Sequence, residues 1–242
     1  MQDRYAGDVG DFGKLGMLRQ IALTGLKIGV NWYRTYKPEE HAKNDGRHTG
    51  YLNDKAFELC DEELLNALRK IVEGERSIAA LEATSLIPNA VYYSAVLKQG
   101  NDRDFNRSIW LANSMKVFEG ADIIFCDPDN GLIVRSVPLS SAKSDKYITE
   151  DELVCYYTAG KSVIFYNHRC MEKENLYLQR FAPLMARREF ASARWLGLKF
   201  IRGTIRDYLF ILQPHHFEHV NAAVERMLLG NWKRHFERLA LV

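Results

Sequence analysis

The feature that most constrains the fold is an uninterrupted apolar run over 123–126 (Ile-Ile-Phe-Cys), which stands between Gly120 and Asp127. A strand with water on one face alternates apolar and polar residues, whereas a strand covered on both faces is apolar throughout. Strands of the second kind lie at the centre of parallel sheets that carry helices on each side. The run therefore predicts an α/β protein with a central strand over 121–127.

Helix-like and strand-like patterns alternate along the rest of the chain. Apolar residues recur at helical spacing in one set of segments, and β-branched and aromatic residues concentrate in the other. Thr149 and Glu152 also form a capping-box pattern at the start of one helix. The predicted strands cover 27–36, 77–82, 90–97, 121–127, 162–167, 193–200 and 207–213. The predicted helices cover roughly 15–22, 64–72, 103–118, 149–160, 172–188, 216–229 and 231–239.

The last two predicted strands are joined by residues 201–206 alone. A parallel crossover needs about a dozen residues or more, so we expect this pair to form an antiparallel hairpin. No internal repeat, low-complexity stretch or linker divides the chain, which predicts one domain over residues 1–242. The whole pattern predicts a three-layer α/β sandwich with a seven-stranded, mostly parallel sheet.

Composition indicates a setting but not a reaction. No apolar run approaches the roughly 20 residues that cross a bilayer, and residues 1–5 lack the features of a signal peptide. We therefore expect a cytoplasmic protein without a membrane partner. The net charge of +2 neither requires nor excludes a nucleic-acid partner. Basic residues late in the chain, such as Arg202 and Arg206, are typical of a solvated surface or of a groove that faces nucleic acid.

Patterns of metal ligands are weak in this sequence. The four cysteines form no Cys-x-x-Cys pair. His215 and His219 have a helical spacing but lack the intervening glutamate of a zinc protease. We therefore predict no metal ligands from these patterns, and the sequence gives no indication of the oligomeric state.

The first candidate functional residues follow the central strand, because ligands of open parallel sheets bind outside the carboxyl ends of strands. Segment 127–131 (Asp-Pro-Asp-Asn-Gly) suits a tight turn, a site for an amino group or a site for a hard metal ion. We take Asp127, Pro128, Asp129 and Asn130 as candidate catalytic residues. His168 follows another predicted strand and joins them as a candidate base.

The N-terminal segment 5–14 (Tyr-Ala-Gly-Asp-Val-Gly-Asp-Phe-Gly-Lys) is the second candidate. Its glycines would let the backbone approach a ligand closely, and a helix start favours an anionic group. Lys14 suits a carboxylate or a phosphate. The same segment is equally typical of a glycine-rich loop that Asp11 caps, with Lys14 in solvent.

The loop over 44–52 is the third candidate. It carries Asp45, Gly46, Arg47 and His48, which bring three different charge or proton-transfer types to one turn. A plain turn needs none of them, although loops are often polar. We therefore expect these four residues to contact a ligand.

The order of the motifs resembles that of adenine-N6 methyltransferases, and most closely that of the bacterial enzymes that modify large-subunit rRNA. Tyr-x-Gly-Asp over 5–8 comes first with Asp11 and Lys14, then a strand, and much later Asp-Pro-Asp-Asn over 127–130. The resemblance covers most of the chain in the order and number of strands. It implies a class I S-adenosylmethionine-dependent methyltransferase with a Rossmann-like sandwich and a nucleic-acid substrate.

The resemblance also implies roles for individual residues. The opening segment of that family helps to bind the methionine end of S-adenosylmethionine, and the residues that match it here are Ala6, Gly7, Asp8, Asp11 and Lys14. Tyr5 of the same segment is a further candidate for cofactor binding. An acidic residue after the family's second strand binds the cofactor ribose and corresponds to Glu82. The family's Asp-Pro-Pro-Tyr signature corresponds to residues 127–130. In place of a glycine-rich loop after the first strand, this chain has Asn31 and aromatic residues, and the nearest substitute is the loop over 44–52.

Three functions remain open from the sequence. In a methyltransferase, Asp127 would orient an acceptor amine beside the cofactor. In a metal-dependent nuclease or phosphoesterase, carboxylates would hold the metal while a histidine acts as base and a cation binds phosphate. The metal ligands would be Asp8, Asp11, Asp127 and Asp129. The base would be His48 or His168, and the cation that binds phosphate would be Lys14 or Arg47. The third function is a non-catalytic binding module on the same scaffold.

Overall fold

A seven-stranded mixed sheet lies at the centre of the computed structural model, which describes residues 1–35, 46, 48–97, 102–169 and 172–241. The strands in chain order are β1 (Ile28–Asn31), β2 (Val91–Tyr93), β3 (Ile123–Cys126), β4 (Gly131–Leu132), β5 (Tyr147–Ile148), β6 (Ser162–His168), β7 (Arg194–Phe200), β8 (Arg206–Leu212) and β9 (Phe236–Arg238). The sheet has the order β2-β1-β3-β6-β8-β7-β9, and β4 pairs separately with β5.

The sheet has a parallel half and an antiparallel half. Every neighbouring pair in β2-β1-β3-β6 is parallel, as the sequence predicts. The strands β7 and β8 form the predicted antiparallel hairpin, and β6 and β9 pair antiparallel to it. The prediction of an α/β protein with a terminal hairpin is thus confirmed, while the parallel arrangement is confined to the first four strands of the order.

Helices pack on both faces of the sheet. They are α1 (Val9–Ala22), α2 (Lys55–Glu58), α3 (Glu62–Glu73), α4 (Ile78–Ala83), α5 (Arg103–Val117), α6 (Glu150–Thr158), α7 (Glu174–Gln179), α8 (Ala182–Met185) and α9 (Pro214–Leu229). Phe125 is buried on the side of α1, α3 and α9, whereas its neighbour Ile124 is buried on the side of α5 and α6. The central strand is therefore covered on both faces, as its composition predicts. Among the described helices, none is long and apolar enough to span a membrane.

The predicted strand over 77–82 is wrong, because this segment forms α4. The Ser77 side chain accepts a hydrogen bond from the backbone N–H of Ala80 at 3.0 Å and so caps the helix. Ile78 and Leu81, one helical turn apart, are both buried. A cap followed by apolar residues at this spacing stabilises a short helix, although the same residues fit the composition of a strand.

The predicted helix over 231–239 is also wrong. A short 3₁₀ helix covers Asn231–Arg234, and β9 then pairs with β7 at the edge of the sheet. This edge strand takes the seventh place that the sequence assigned to 77–82. The predicted helix over 172–188 divides into α7 and α8, and Pro183 lies in the first turn of α8. Proline has no backbone N–H to donate, so it starts a helix more readily than it continues one.

The start of α6 bears out the predicted capping box. The Thr149 side chain accepts from the backbone N–H of Glu152, and the Glu152 side chain accepts from that of Thr149. Glu152 also binds the guanidinium group of Arg107 on α5 with its Oε1 2.6 Å from Nε. The cap therefore joins two helices on the same face of the sheet.

Candidate functional site

A cleft of about 370 Å³ opens at the carboxyl edge of the sheet, between the start of α1 and the ends of β3 and β6. It brings together most of the candidate residues that the sequence indicates. Those that line it are Tyr5, Asp8, Asp11, Lys14, Gly46, His48, Asp127, Pro128, Asp129, Asn130 and His168. The cleft thus unites segments that are far apart in sequence at the edge where parallel sheets bind ligands.

Lys14 lies at the floor of this cleft between two carboxylates. Its Nζ is 2.6 Å from Asp127 Oδ2 and 3.0 Å from Asp11 Oδ1. Burial alone would lower the pKa of Lys14, but the charges of Asp11 and Asp127 outweigh that effect and raise it. Burial raises the pKa of Asp11 by more than the charge of Lys14 lowers it, and the net result is a pKa of about 6. Lys14 is therefore a buried cation and not the solvated side chain of the alternative prediction.

The start of α1 is satisfied by a side chain of the same segment. Asp8 Oδ1 accepts hydrogen bonds from the backbone N–H groups of Gly10 at 2.8 Å and Asp11 at 3.1 Å. The anionic group that a helix start favours is thus the Asp8 carboxylate. Gly16, two residues after this segment, serves packing, because a β-carbon there would lie 2.0 Å from the ring of Trp232.

Hydrogen-bond acceptors converge at the ends of β1 and β3. The amino group of Met1 lies among these acceptors and donates to the carbonyl oxygens of Trp32 at 2.9 Å and Asp127 at 3.2 Å. The carbonyl oxygen of Tyr33 lies 3.4 Å from it, and Asp129 Oδ1 lies 2.9 Å from it. Burial opposes ionisation of Asp129, but the neighbouring positive charge outweighs burial and lowers its pKa. These acceptors suit a primary ammonium or amino group.

The turn that presents these carbonyl groups is strained. Tyr33 has a φ of +46°, a left-handed conformation that residues other than glycine rarely adopt. Its ring packs edge-on against Trp110 with the centroids 4.9 Å apart. Its hydroxyl lies 3.2 Å from Glu152 Oε2. The buried ring therefore fixes a turn that contains no glycine.

The ends of β6 and β8 form the wall that adjoins segment 127–131. His168 pairs with Arg206 across these strands, and Tyr166 pairs with Tyr208. Tyr166, His168 and Arg206 all line the cleft. Tyr166 Oη is 3.1 Å from His168 Nδ1. Burial and the charge of Arg206 lower the pKa of His168, so its imidazole is mainly neutral at neutral pH.

The Tyr208 hydroxyl lies behind this wall without a partner. Its side chain is fully buried, and its Oη has no hydrogen-bond partner among the described residues. Burial raises the pKa of Tyr208, and the nearby charges of Lys14, Arg206 and Asp127 also act on it. A buried hydroxyl without a partner costs stability, so this atom indicates a place for water or for a polar atom of a ligand.

Asn31 and Glu82 do not line the cleft. Asn31 Nδ2 donates to Tyr156 Oη at 3.0 Å, on the face of the sheet that carries α6. Glu82 lies on α4, where its Oε1 accepts from the indole N–H of Trp32 at 2.8 Å. The indole ring in turn lies 5.6 Å from Lys14 Nζ. Glu82 therefore supports the floor of the cleft through Trp32 and does not follow a strand as the resemblance implies.

Two residues of the loop over 44–52, Gly46 and His48, reach the cleft. Gly46 has a φ of +77°, and a β-carbon there would lie 2.3 Å from the carbonyl oxygen of Arg4. Asp45 and Arg47 lie outside the described residues. Gly7 lies near the cleft without lining it and donates its backbone N–H to Asp11 Oδ2 at 2.8 Å.

Sequence reasoning missed some of the lining, including Met1, Lys146 and Tyr166. Tyr166 shares a strand face with His168, because side chains two residues apart point the same way. That period could have identified it. Arg206 was grouped with the basic residues of the surface or of a nucleic-acid groove, but its side chain is only 11% exposed and belongs to the cleft.

Three carboxylates of the cleft already bind groups of the protein, which leaves them poorly placed to bind a metal ion. Lys14 stands between Asp11 and Asp127, and Asp8 caps α1. Within the described residues, no group of three or more histidine, cysteine or acidic side chains is placed to hold a metal ion. A metal bound between Asp11 and Asp127 would have to displace the buried ammonium group of Lys14.

In comparisons with known proteins, no protein-family model, curated protein or solved structure matches the chain. The fold and the cleft define a class: an α/β protein with a polar cleft at the carboxyl edge of the parallel half of its sheet. A more specific assignment depends on the chemistry of the cleft.

Proposed function

We propose that the protein is an S-adenosylmethionine-dependent methyltransferase that acts on an amino group of a nucleic acid. The observation that carries the proposal is the convergence of acceptors at the ends of β1 and β3. The carbonyl groups of Trp32 and Asp127 and the carboxylate of Asp129 surround the primary amino group of Met1, which a bound cofactor would have to displace. The methionine part of the cofactor carries a primary ammonium group of this kind.

A second feature supports the fit of a methionine moiety. Its carboxylate requires hydrogen-bond donors, and the buried Tyr208 hydroxyl is a donor without a partner among the described residues. Asp129 and the carbonyl groups would hold the ammonium end, and the Tyr208 hydroxyl, which lies behind the cleft lining, would reach the carboxylate end through a bridging water. Glu82, on α4, does not fit a ribose contact, because its Oε1 already accepts a hydrogen bond from the indole N–H of Trp32.

Asp127 is the residue that would orient the acceptor. Lys14 Nζ lies 2.6 Å from its Oδ2. The Asp127 side chain lines the cleft, so Oδ1 is the oxygen that would face the acceptor. That oxygen would accept a hydrogen bond from the acceptor amine and then its proton. The bound cofactor supplies an electrophilic methyl group, so the task of the protein is mainly alignment. Arg206 and Lys146 in the cleft lining suit the phosphates of a nucleic acid.

The metal-dependent phosphoesterase is the weaker alternative. It needs free carboxylates, whereas Asp11 and Asp127 both bind Lys14 and Asp8 caps α1. A binding module without catalysis would keep the amine pocket but would not need Asp127 Oδ1. Transfer of a labelled methyl group to RNA or DNA separates these functions.

Thermal melting with S-adenosylmethionine or S-adenosylhomocysteine tests the cofactor site. A ligand at a hundred times its dissociation constant stabilises the folded state by about 2.7 kcal/mol. For a chain of this size that raises Tm by about 5–11 °C. Asp129→Asn should reduce the shift, whereas Asp151→Asn, a change at an 88% exposed carboxylate on α6, should keep it.

Tyr208→Phe is the sharper variant. It removes a buried hydroxyl without a partner, so the ligand-free protein should keep or gain stability while the cofactor shift falls. No shift in the unaltered protein at millimolar cofactor would refute the proposal. A shift that appears with magnesium alone and disappears in Asp127→Asn would favour the phosphoesterase instead.

A further inference from the structure

The wall formed by β6 and β8 adds a hydrogen-bond donor to the acidic floor of the cleft. His168 has one ring nitrogen, Nδ1, 3.1 Å from Tyr166 Oη. A neutral phenol donates to an imidazole nitrogen more readily than it accepts from one. Burial raises the pKa of Tyr166, which keeps that phenol protonated. The proton of the neutral imidazole then lies on Nε2, and His168 can donate from Nε2.

The donor and the proposed acceptor site line the same cleft. The register Cys126↔Phe165 places Asp127, the residue after β3, beside Tyr166 of β6, two positions before His168. The backbone N–H of His168 also donates to the carbonyl oxygen of Asn130 at 3.3 Å, so the end of β6 is tied to segment 127–131. One side of the cleft therefore offers a carboxylate acceptor at Asp127, and the adjoining wall offers a donor at His168.

We propose that His168, positioned by Tyr166, recognises the ring nitrogen beside the acceptor amine of an amino-substituted nucleobase. Adenine and cytosine carry such an N–C–NH₂ edge, where an acceptor nitrogen adjoins a donor amine. The amine would face Asp127 Oδ1, and the ring nitrogen would accept from His168 Nε2. This inference rests on the proposed function, since it assigns the base that carries the methylated amine. Hypoxanthine, with an N–H and a carbonyl at these two places, has the reversed pattern and would be rejected.

Titration with adenosine 5′-monophosphate and its 1-deaza analogue, without cofactor, tests the contact with the ring nitrogen. A lost hydrogen bond of about 1.4 kcal/mol lowers affinity about tenfold, so the 1-deaza analogue should bind the unaltered protein about tenfold more weakly. In His168→Ala the two ligands should bind equally. His219→Ala, a change on the exposed side of α9, should keep the difference. Equal binding to the unaltered protein, or a difference that persists in His168→Ala, would overturn the assignment.

Nitrogen-15 NMR of the His168 ring tests the role of Tyr166 separately. We expect a protonated Nε2 and an unprotonated Nδ1 in the unaltered protein, and a mixture of tautomers in Tyr166→Phe. The same variant should narrow the difference between the two ligands. An unprotonated Nε2 in the unaltered protein would contradict the proposal.

The two proposals fail in different ways. Without a cofactor-induced shift in Tm, discrimination by His168 would still identify a base-binding site, and the methyltransferase assignment alone would fall. With a cofactor-induced shift but no dependence on the ring nitrogen, the enzyme class would stand and the base contact would fall.

Discussion

Replacing Lys14 tests whether its buried ammonium group holds the floor of the cleft together. Lys14→Met keeps an unbranched side chain of similar reach but leaves Asp11 and Asp127 without the cation that both contact. Removing one partner of a buried ion pair costs about 3–5 kcal/mol, because the remaining charge loses its compensation. For a chain of this size each kcal/mol lowers Tm by about 2–4 °C, so we expect a fall of roughly 6–20 °C.

Urea denaturation followed by tryptophan fluorescence measures this loss as a free energy of unfolding. Lys199→Met is the matched control, because Lys199 on β7 pairs with the more exposed carboxylates Glu174 and Glu237. Such pairs contribute about 0–1 kcal/mol. Lowering the pH should recover part of the loss in Lys14→Met, since a protonated Asp11 no longer needs a cation. A loss in Lys14→Met no larger than in the control would refute this reasoning.

The remaining predictions concern a titration, a turn and a helix cap. The pKa of Asp11 is about 6 in the folded protein and 3.8 for the free side chain, so stability falls as pH rises between these values. From about pH 7 to pH 5 the unaltered protein should therefore gain about 1 kcal/mol relative to Asp11→Asn in urea titrations. Gly131→Ala places a β-carbon 2.0 Å from Asn167 Oδ1 at a φ of +98° and should cost at least about 1–3 kcal/mol. Gly120→Ala, with no described atom within 4 Å of the added carbon, should leave Tm nearly unchanged. Ser77→Ala should cost about 0.5–2 kcal/mol by calorimetry if Ser77 caps α4, and no change would contradict that cap.

The parts of the fold that the sequence predicts well are those with a strong local cause. The run over 123–126 is apolar because both faces of β3 are covered, so composition alone identifies a central strand. The hairpin of β7 and β8 is predictable because the connection expected from the sequence, residues 201–206, is too short for a parallel crossover. In both cases a geometric limit leaves one arrangement.

The wrong predictions lack such a cause. The segment over 77–82 is short, and its apolar residues fit a strand or a helix until the Ser77 cap is recognised. The strand β9 has three residues and forms through pairing with β7, a partner distant in sequence. Short elements of this kind take their structure from tertiary contacts, which override local preference.

The location of the site is more predictable from the sequence than its chemistry. Polar residues after buried strands identify the edge of the sheet, and most of those candidates do line the cleft. The contacts that these residues make are harder to predict, because the contact of Lys14 with Asp127 spans 113 positions in sequence. Only the folded chain shows that Asp8 fills the helix start, which a sequence reading would offer to a ligand.

The distribution of charge in the cleft also favours an amine over an anion at its floor. Lys14 contributes one positive charge between Asp11 and Asp127, so the floor stays negative when both carboxylates are ionised. Negative charge and inward-facing carbonyl groups attract a donor such as an ammonium or amino group and repel a phosphate. The hydrogen-bond donors of His168 and Arg206 lie on the wall formed by β6 and β8. A ligand that fits both regions carries amino groups toward the floor and acceptor or anionic groups toward the wall, which is the arrangement of an amine-bearing nucleotide.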